Sequence, residues 1–351
     1  MNVKPLFKLM VEKKASDLFF APCAPAKIKI EGKIMPVNKL EMTPKMVKQA
    51  ALELMNEEQL DVFSRELEID FALSEEGLGR FRVNVFHQRG SVAMVLRYIT
   101  SELPTLDELG MPAQLKELVM LRRGLILMVG ATGAGKSTTL AAMINHRNEK
   151  TSSHILTIED PIEFLHPNKQ SIVNQREVGL DTRSYARALK SAVRAAPDVI
   201  QIGEIRDTES MRAALDMAGT GHLVLATVHS NNAPETLDRI INMFPQDQHR
   251  QIYMDMSQYL RAIISQRLVR SLDGKRVAAV EVMLNTPHVS ELVNRGEIAQ
   301  VKEAFSQSSE SGMQSFDSAL LELYRAGKIG MEEALANADS RANLEANIHF
   351  Q

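Results

Sequence analysis

Residues 125–144 read LILMVGATGAGKSTTLAAMI. Five apolar residues run straight into Gly130, and Gly135, Lys136 and Ser137 complete the spacing G-x-x-x-x-G-K-S before a helix-forming run begins. This is the Walker A phosphate loop in the strand–loop–helix context it requires. Glycines at 130, 133 and 135 let backbone N–H groups turn inward around phosphate oxygens, and the helix that follows adds its positive end. Gly130, Ala131, Thr132, Gly133, Ala134, Gly135, Lys136, Ser137 and Thr138 are therefore the expected nucleotide-binding set. Lys136 is expected to pair with the β- and γ-phosphates of ATP, and Ser137 to ligate Mg²⁺.

Working outward, the runs HILTI, DVIQIG and HLVLATV are also near-continuously apolar. Such runs mark strands buried on both faces of a parallel sheet, and the helical patterns between them give the βαβ rhythm of an α/β domain. In open α/β sheets, ligands sit beyond the carboxyl ends of the strands. The strand at 155–158 ends in Glu159 and Asp160, the one at 199–202 leads to Glu204, and the one at 223–228 ends at His229. One edge thus collects a phosphate loop, two sets of acids and a histidine.

Glu204 stands where a Walker B acid belongs, although the usual preceding Asp is Gly203. It is expected to hold Mg²⁺ or to activate water; the plainer reading is an acid paired with Arg206. Glu159 is a further Mg²⁺ candidate. His229 is expected to sense the γ-phosphate. His222 lies an odd number of residues before it, so a continuous strand separates the two onto opposite faces and ends. The stretch IEDPIEF (158–164) also satisfies helix-start rules, with Asp160 as cap, Pro161 at the first position and Glu163 closing a capping box. It is therefore expected to begin a helix that presents Glu163 to the phosphates. Arg183, Arg187, Lys190 and Arg194 recur at helical spacing, which reads either as a solvated face or as a contact for an acidic partner or neighbouring subunit.

The chain has 351 residues, enough for two domains. Its net charge of -3, lack of Trp and 5% aromatic content argue against nucleic-acid binding. Cys23 is alone, which excludes a disulfide framework or a four-cysteine zinc site within one chain. No apolar run reaches the roughly 18–20 residues that span a bilayer, and the N-terminus lacks a signal-peptide pattern, so a cytoplasmic location is expected. Residues 1–100 read as an α+β domain, with one helical stretch over 43–67 and an antiparallel meander over 69–99. A polar linker is expected over 101–113, the α/β domain over 114–285 and a helical region over 286–351.

The motifs GATGAGKSTT, TIEDPIEF, REVGLDT, VIQIGEIRD, TGHLVLATVHS and TLDRIINMFP, in this order, resemble the secretion ATPases of type II secretion and type IV pilus systems. More closely, the chain is similar to the PilT/PilU group of pilus retraction ATPases. The resemblance implies a PAS-like N-terminal domain, a RecA-like P-loop ATPase domain, C-terminal helices and a homo-hexameric ring. It implies that Arg82 and Arg97, and more weakly Arg80, neutralise nucleotide phosphates. IEDPIEF corresponds to the family's acidic box, making Glu163 a catalytic candidate, and GHLVLATVH to its histidine box, which adds His222 to His229. Retraction motors of the PilT kind carry Ala-Ile-Arg-Asn-Leu after Thr-Pro, where this chain has His288, Val289, Ser290, Glu291 and Leu292. That departure points to the PilU side, an accessory ATPase acting beside a PilT-type motor on an inner-membrane platform protein, at the cytoplasmic face and peripheral to the membrane. The other readings are a non-hydrolysing nucleotide-gated adaptor, or an extension or secretion ATPase of the same superfamily.

Overall fold

The computed structural model describes residues 3–30, 32–100, 102–307 and 312–349. The chain divides into two compact units, Met1–Glu102 with Glu163–Leu165, and Leu103–Ile162 with His166–Gln351.

The first unit holds α1 (Lys4–Glu12), β1 (Asp17–Phe20), β2 (Ala24–Ile30), β3 (Lys33–Met42), α2 (Pro44–Leu52), α3 (Glu57–Glu66), β4 (Glu68–Glu75), β5 (Gly79–Gln88) and β6 (Ser91–Ile99). Its strands form an antiparallel sheet in the order β3-β2-β1-β6-β5-β4. Phe7 and Met10 of α1 and Val47 and Ala50 of α2 pack on Leu18, Phe81, Val83 and Leu96. The helical stretch expected over 43–67 is two helices. Asn56 breaks it by accepting the Gln59 N–H while the Gln59 side chain takes the Asn56 N–H, a reciprocal cap that outcompetes continuation.

The second unit contains α4 (Gln114–Val119), β7 (Gly124–Val129), α5 (Lys136–Lys150), β8 (His154–Glu159), β9 (Ile172–Glu177), α6 (Tyr185–Ala192), β10 (Val199–Ile202), α7 (Thr208–Gly219), β11 (Leu223–Val228), α8 (Ala233–Met243), α9 (His249–Tyr259), β12 (Leu260–Arg270) and β13 (Arg276–Leu284). It ends with α10 (Pro287–Arg295), α11 (Ile298–Gln307), α12 (Phe316–Arg325), α13 (Met331–Asn337) and α14 (Arg341–His349). The sheet order is β13-β12-β7-β11-β10-β8-β9, parallel throughout except for β13. Leu125, Leu127 and Val129 of β7 join one core layer, with α7, α8 and α9 residues. Ile126 and Met128 join the opposite layer, with α4 and α5 residues. Both faces are covered, which is why β7 reads as an unbroken apolar run.

The stretch expected to be a linker packs with the second unit, because Leu106 and Met111 are buried in its core. The helix expected after Asp160 does not form: residues 160–171 are irregular, with a cis Asp160–Pro161 bond. The Ile162 N–H donates to Glu177 Oε2 at 3.3 Å and the His166 N–H to Gln175 Oε1 at 2.8 Å. Distant side chains thus take the Ile162 N–H, which the Asp160 cap would have accepted in the expected helix, and the His166 N–H, which that helix would have given to one of its own carbonyls.

Candidate active site

Register fixes which groups share the carboxyl edge of the second sheet. Val228 pairs with Val129, so His229 leaves β11 level with the start of the phosphate loop. Ile202 pairs with Ile158 and Ala226, which brings the Gly203–Glu204 turn between Glu159 and His229. β9, unrecognised in the sequence, flanks Glu159 from the outside.

The phosphate loop is braced from β12. A Cβ at Gly130, whose φ is +145°, would lie 2.5 Å from the Gln266 carbonyl oxygen, so only glycine lets the loop approach this closely. The buried Gln266 side chain accepts from Thr139 Oγ1 at 2.7 Å and donates to the Ala134 carbonyl at 2.8 Å. Both ends of the amide are satisfied, and the loop is tied to the first turn of α5. Lys136 Nζ donates to the Gly130 and Ala131 carbonyls at 2.7 and 3.0 Å, which places its ammonium within the loop. A cavity of about 830 Å³ opens beside Gly135, Thr138 and Thr139, walled by Leu268, Arg276 and Met111.

The acids lie on the same carboxyl edge, at the ends of β8 and β10. Glu159 is buried, and its Oε1 accepts from Thr157 Oγ1 at 2.6 Å and Gln175 Nε2 at 3.1 Å. Glu204 uses both oxygens, Oε1 against His229 Nε2 at 3.1 Å and Oε2 against Arg206 Nη2 at 2.6 Å. The Arg206 ion pair is thus present, and His229 joins it on the other oxygen. The hydrogen bond from Arg206 to the Glu204 carboxylate raises the guanidinium's already high pKa further. Tyr185, at the start of α6, completes the cluster. Burial pushes its hydroxyl's pKa up, and the Asp160 and Glu159 charges push the same way. A Cβ at Gly203 would meet Tyr185 Oη at 2.7 Å and the Ile158 carbonyl at 3.1 Å, so the phenol occupies the space that a Walker B Asp would need.

His222 is not part of this cluster. It precedes β11 at the amino edge, where its carbonyl accepts the Gly124 N–H at 3.0 Å and its Nδ1 lies 3.1 Å from the Met217 carbonyl. A full strand separates it from His229 within this unit, which corrects its assignment to the same site. Glu163 is exposed and belongs with the first unit, where the Leu165 N–H donates to the Thr100 carbonyl at 3.2 Å. Arg82 and Arg97 lie on β5 and β6 of that unit, paired with Asp70 at 3.6 Å and Asp17 at 2.9 Å. Arg80 is on β5 as well.

Gln266, Tyr185 and Arg276 were not singled out by sequence reasoning. The one available signal was the polar pair Ser265–Gln266 inside the apolar run AIISQRLV. Among the described residues, no group of three His, Cys, Asp or Glu side chains is gathered to hold a metal ion. Mg²⁺ normally keeps waters and takes one or two carboxylates plus substrate phosphates; Glu159 and Glu204 are carboxylates at this edge, and Ser137 is the second residue of α5 after the phosphate loop.

A parallel sheet with helices on both faces, a Walker A loop and an acid–histidine pair at its carboxyl edge defines a P-loop ATPase. The profile of the type II/IV secretion system protein family matches residues 2–336, and the chain belongs to that family. The type IV pilus ATPase PilU of Pseudomonas aeruginosa is 50% identical over 99% of this chain and 91% of its own length. The retraction ATPase PilT of the same organism is 40% identical over 99% of this chain and 100% of its own. A crystal structure of the pilus retraction motor PilT with bound ADP matches with a TM-score of 0.92 at 40% identity, covering 98% of this chain and 99% of that one.

Proposed function

We propose that this chain is a hexameric, Mg²⁺-dependent ATP-hydrolysing motor of the type IV pilus machinery. It acts as an accessory, PilU-like retraction ATPase beside a PilT-type motor and an inner-membrane platform protein. The observation that carries the reading is the Glu204–His229 contact at the edge that also holds the phosphate loop. The likeness to PilU and PilT over nearly the whole chain supports the pilus assignment. No helix among the described residues is long and apolar enough to cross a membrane, which suits a motor held at the cytoplasmic face of the inner membrane through its partners.

In this mechanism the backbone N–H groups of residues 130–136 and the Lys136 ammonium bind and orient the β- and γ-phosphates. Mg²⁺ supplies neutralising charge when bound, and Ser137, Glu159 and Glu204 are the residues that would hold it. Glu163 or Glu204 takes the proton from the attacking water, and His229 holds the Glu204 carboxylate in place. Arg82 and Arg97 neutralise phosphate charge from the N-terminal domain. The sequence of α10, with Ser290 and Glu291 where PilT-type motors have Arg and Asn, supports the accessory role.

The test is phosphate release by the purified full-length protein, alone and with a PilT-type ATPase. Lys136→Ala is expected to abolish release. An unchanged rate in that variant overturns the site, and ATP binding without any turnover in the unmodified protein favours the adaptor.

A further inference from the structure

Four cations run along the solvent side of α6. Arg187 and Lys190 lie on the helix, Arg183 precedes its Ser184 cap, and Arg194 sits in the 3₁₀ turn (Val193–Ala195) that extends it. All four are exposed, while Ala188, Leu189 and Ala192 on the other side of the helix are buried in the core. None of the four side chains makes an ion pair among the described residues. The acids nearest in sequence are engaged elsewhere: Asp181 accepts the Glu177 N–H and Asp198 the His154 N–H, both at 2.8 Å. Like charges three and four residues apart repel, so the file works against helix stability unless an external anion answers it. It also runs against the chain's net charge of -3.

We propose that this file is a docking surface for an acidic, extended segment of a partner protein. Charge complementarity selects an anion, and the file's shape selects the segment. At about 1.5 Å per residue the run from Arg183 to Arg194 spans at least roughly 16 Å, the reach of about five extended residues. Val193, 54% exposed, precedes Arg194 in the 3₁₀ turn and offers one apolar contact beside the file. A bilayer fits less well, because the apolar side of α6 is committed to the core and cannot insert. The absence of Trp and the scarcity of aromatic residues leave no stacking platform for nucleic acid. This surface is independent of the nucleotide chemistry proposed above.

The experiment measures fluorescence anisotropy of a labelled Glu-rich peptide, roughly ten residues long, with the full-length protein and with the Arg187→Glu/Lys190→Glu double variant. Binding is expected to weaken at least about tenfold in the variant, and to weaken for the unmodified protein as salt rises past ~0.15 M, where the screening length falls to ~8 Å. Phosphate release and the mass by light scattering should stay unchanged. Should charge reversal disturb folding by circular dichroism, the neutral pair Arg187→Gln/Lys190→Gln on the same exposed sites is expected to give the same direction of effect. Equal affinity in the variant overturns the proposal. So does binding to phosphatidylserine vesicles without binding to the peptide, which makes the file a membrane contact. A change of oligomeric state in the variant also overturns it, because the file is then a contact between copies of this chain.

Discussion

Arg82 and Arg97 stand directly opposite each other on β5 and β6, and Arg97 Nε donates to Asp17 Oδ1 at 2.9 Å across the next strand pair. Facing like charges destabilise a sheet. Here the Asp17 carboxylate, only 6% exposed, answers one guanidinium, and Asp70 answers the other at 3.6 Å. The two arginines therefore have a structural task in the first unit besides the phosphate role proposed for them.

Those two tasks are separable. Among the described residues, Arg97→Ala leaves Asp17 with only the Ser16 hydroxyl, at 2.9 Å, as a side-chain partner. The loss is expected to cost about 1–2 kcal/mol, reduced because the Arg97 side chain is 67% exposed. Adding Asp17→Asn removes the orphaned charge, so the double variant should recover most of the lost thermal stability. Phosphate release should remain slow in both. Recovery of turnover together with stability would make Arg97 purely structural.

Gln266 makes a second prediction. Gln266→Ala leaves the Ala134 carbonyl and the Thr139 hydroxyl without their buried partner. A loss of about 1–3 kcal/mol in stability is expected for each buried group left unpaired. Because the loop itself loosens, binding of a fluorescent ATP analogue should weaken about tenfold, while α6 peptide binding stays unchanged. Unaltered nucleotide affinity would mean that α5 and Gly130 hold the loop unaided.

The sequence was legible where one local rule governs. β7, β8, β10 and β11 are apolar throughout because both faces are covered, and the phosphate loop carries its own spacing. Strand length alone separates His222 from His229, as the structure has them within this unit, whereas the family resemblance names both for the site. The strands β12 and β13 went unmarked because Ser265, Gln266 and Glu281 sit inside them, polar groups whose presence is set by distant partners. IEDPIEF failed in the opposite sense. Its helix-start signals are genuine local preferences, but Glu177 and Gln175 on β9 capture the N–H groups of 162 and 166. Local rules cannot see such captures, and they fix how the chain leaves β8.

Glu281 gives a pH prediction. It is 2% exposed, and its Oε1 accepts from Ser265 Oγ at 2.8 Å and from the N–H of Ala233, the first residue of α8, at 2.9 Å. Burial pushes its pKa up from 4.5 to about 7, against the downward pull of those two hydrogen bonds. The folded protein then holds this proton more tightly than the unfolded chain. Stability from this group is present below about pH 4.5 and is lost as pH rises to about 7, by about 3 kcal/mol. Glu281→Gln mimics the protonated acid, so the variant should gain thermal stability over the unmodified protein progressively across that window. A constant difference between the two at all pH values would contradict the assignment.

Glu204 and Glu163 divide the last question between them. Glu204 lies in the second unit with its carboxylate spanned by Arg206 and His229. Glu163 is exposed and belongs with the first unit. A metal ligand and a general base fail differently when made neutral. Glu→Gln at the ligand should raise the Mg²⁺ concentration needed for half-maximal turnover, whereas at the base it should cut turnover about 10²-fold or more with the Mg²⁺ requirement unchanged. Both oxygens of Glu204 already have a partner, Oε2 with Arg206 Nη2 and Oε1 with His229 Nε2, which holds the carboxylate in place. Glu204→Gln is therefore expected to shift the Mg²⁺ requirement, and Glu163→Gln to abolish turnover while leaving nucleotide binding intact. His229→Ala should follow Glu204→Gln, because it releases the same carboxylate. If His229→Ala instead abolishes turnover at unchanged Mg²⁺ requirement, the histidine acts on the phosphates directly and not through Glu204.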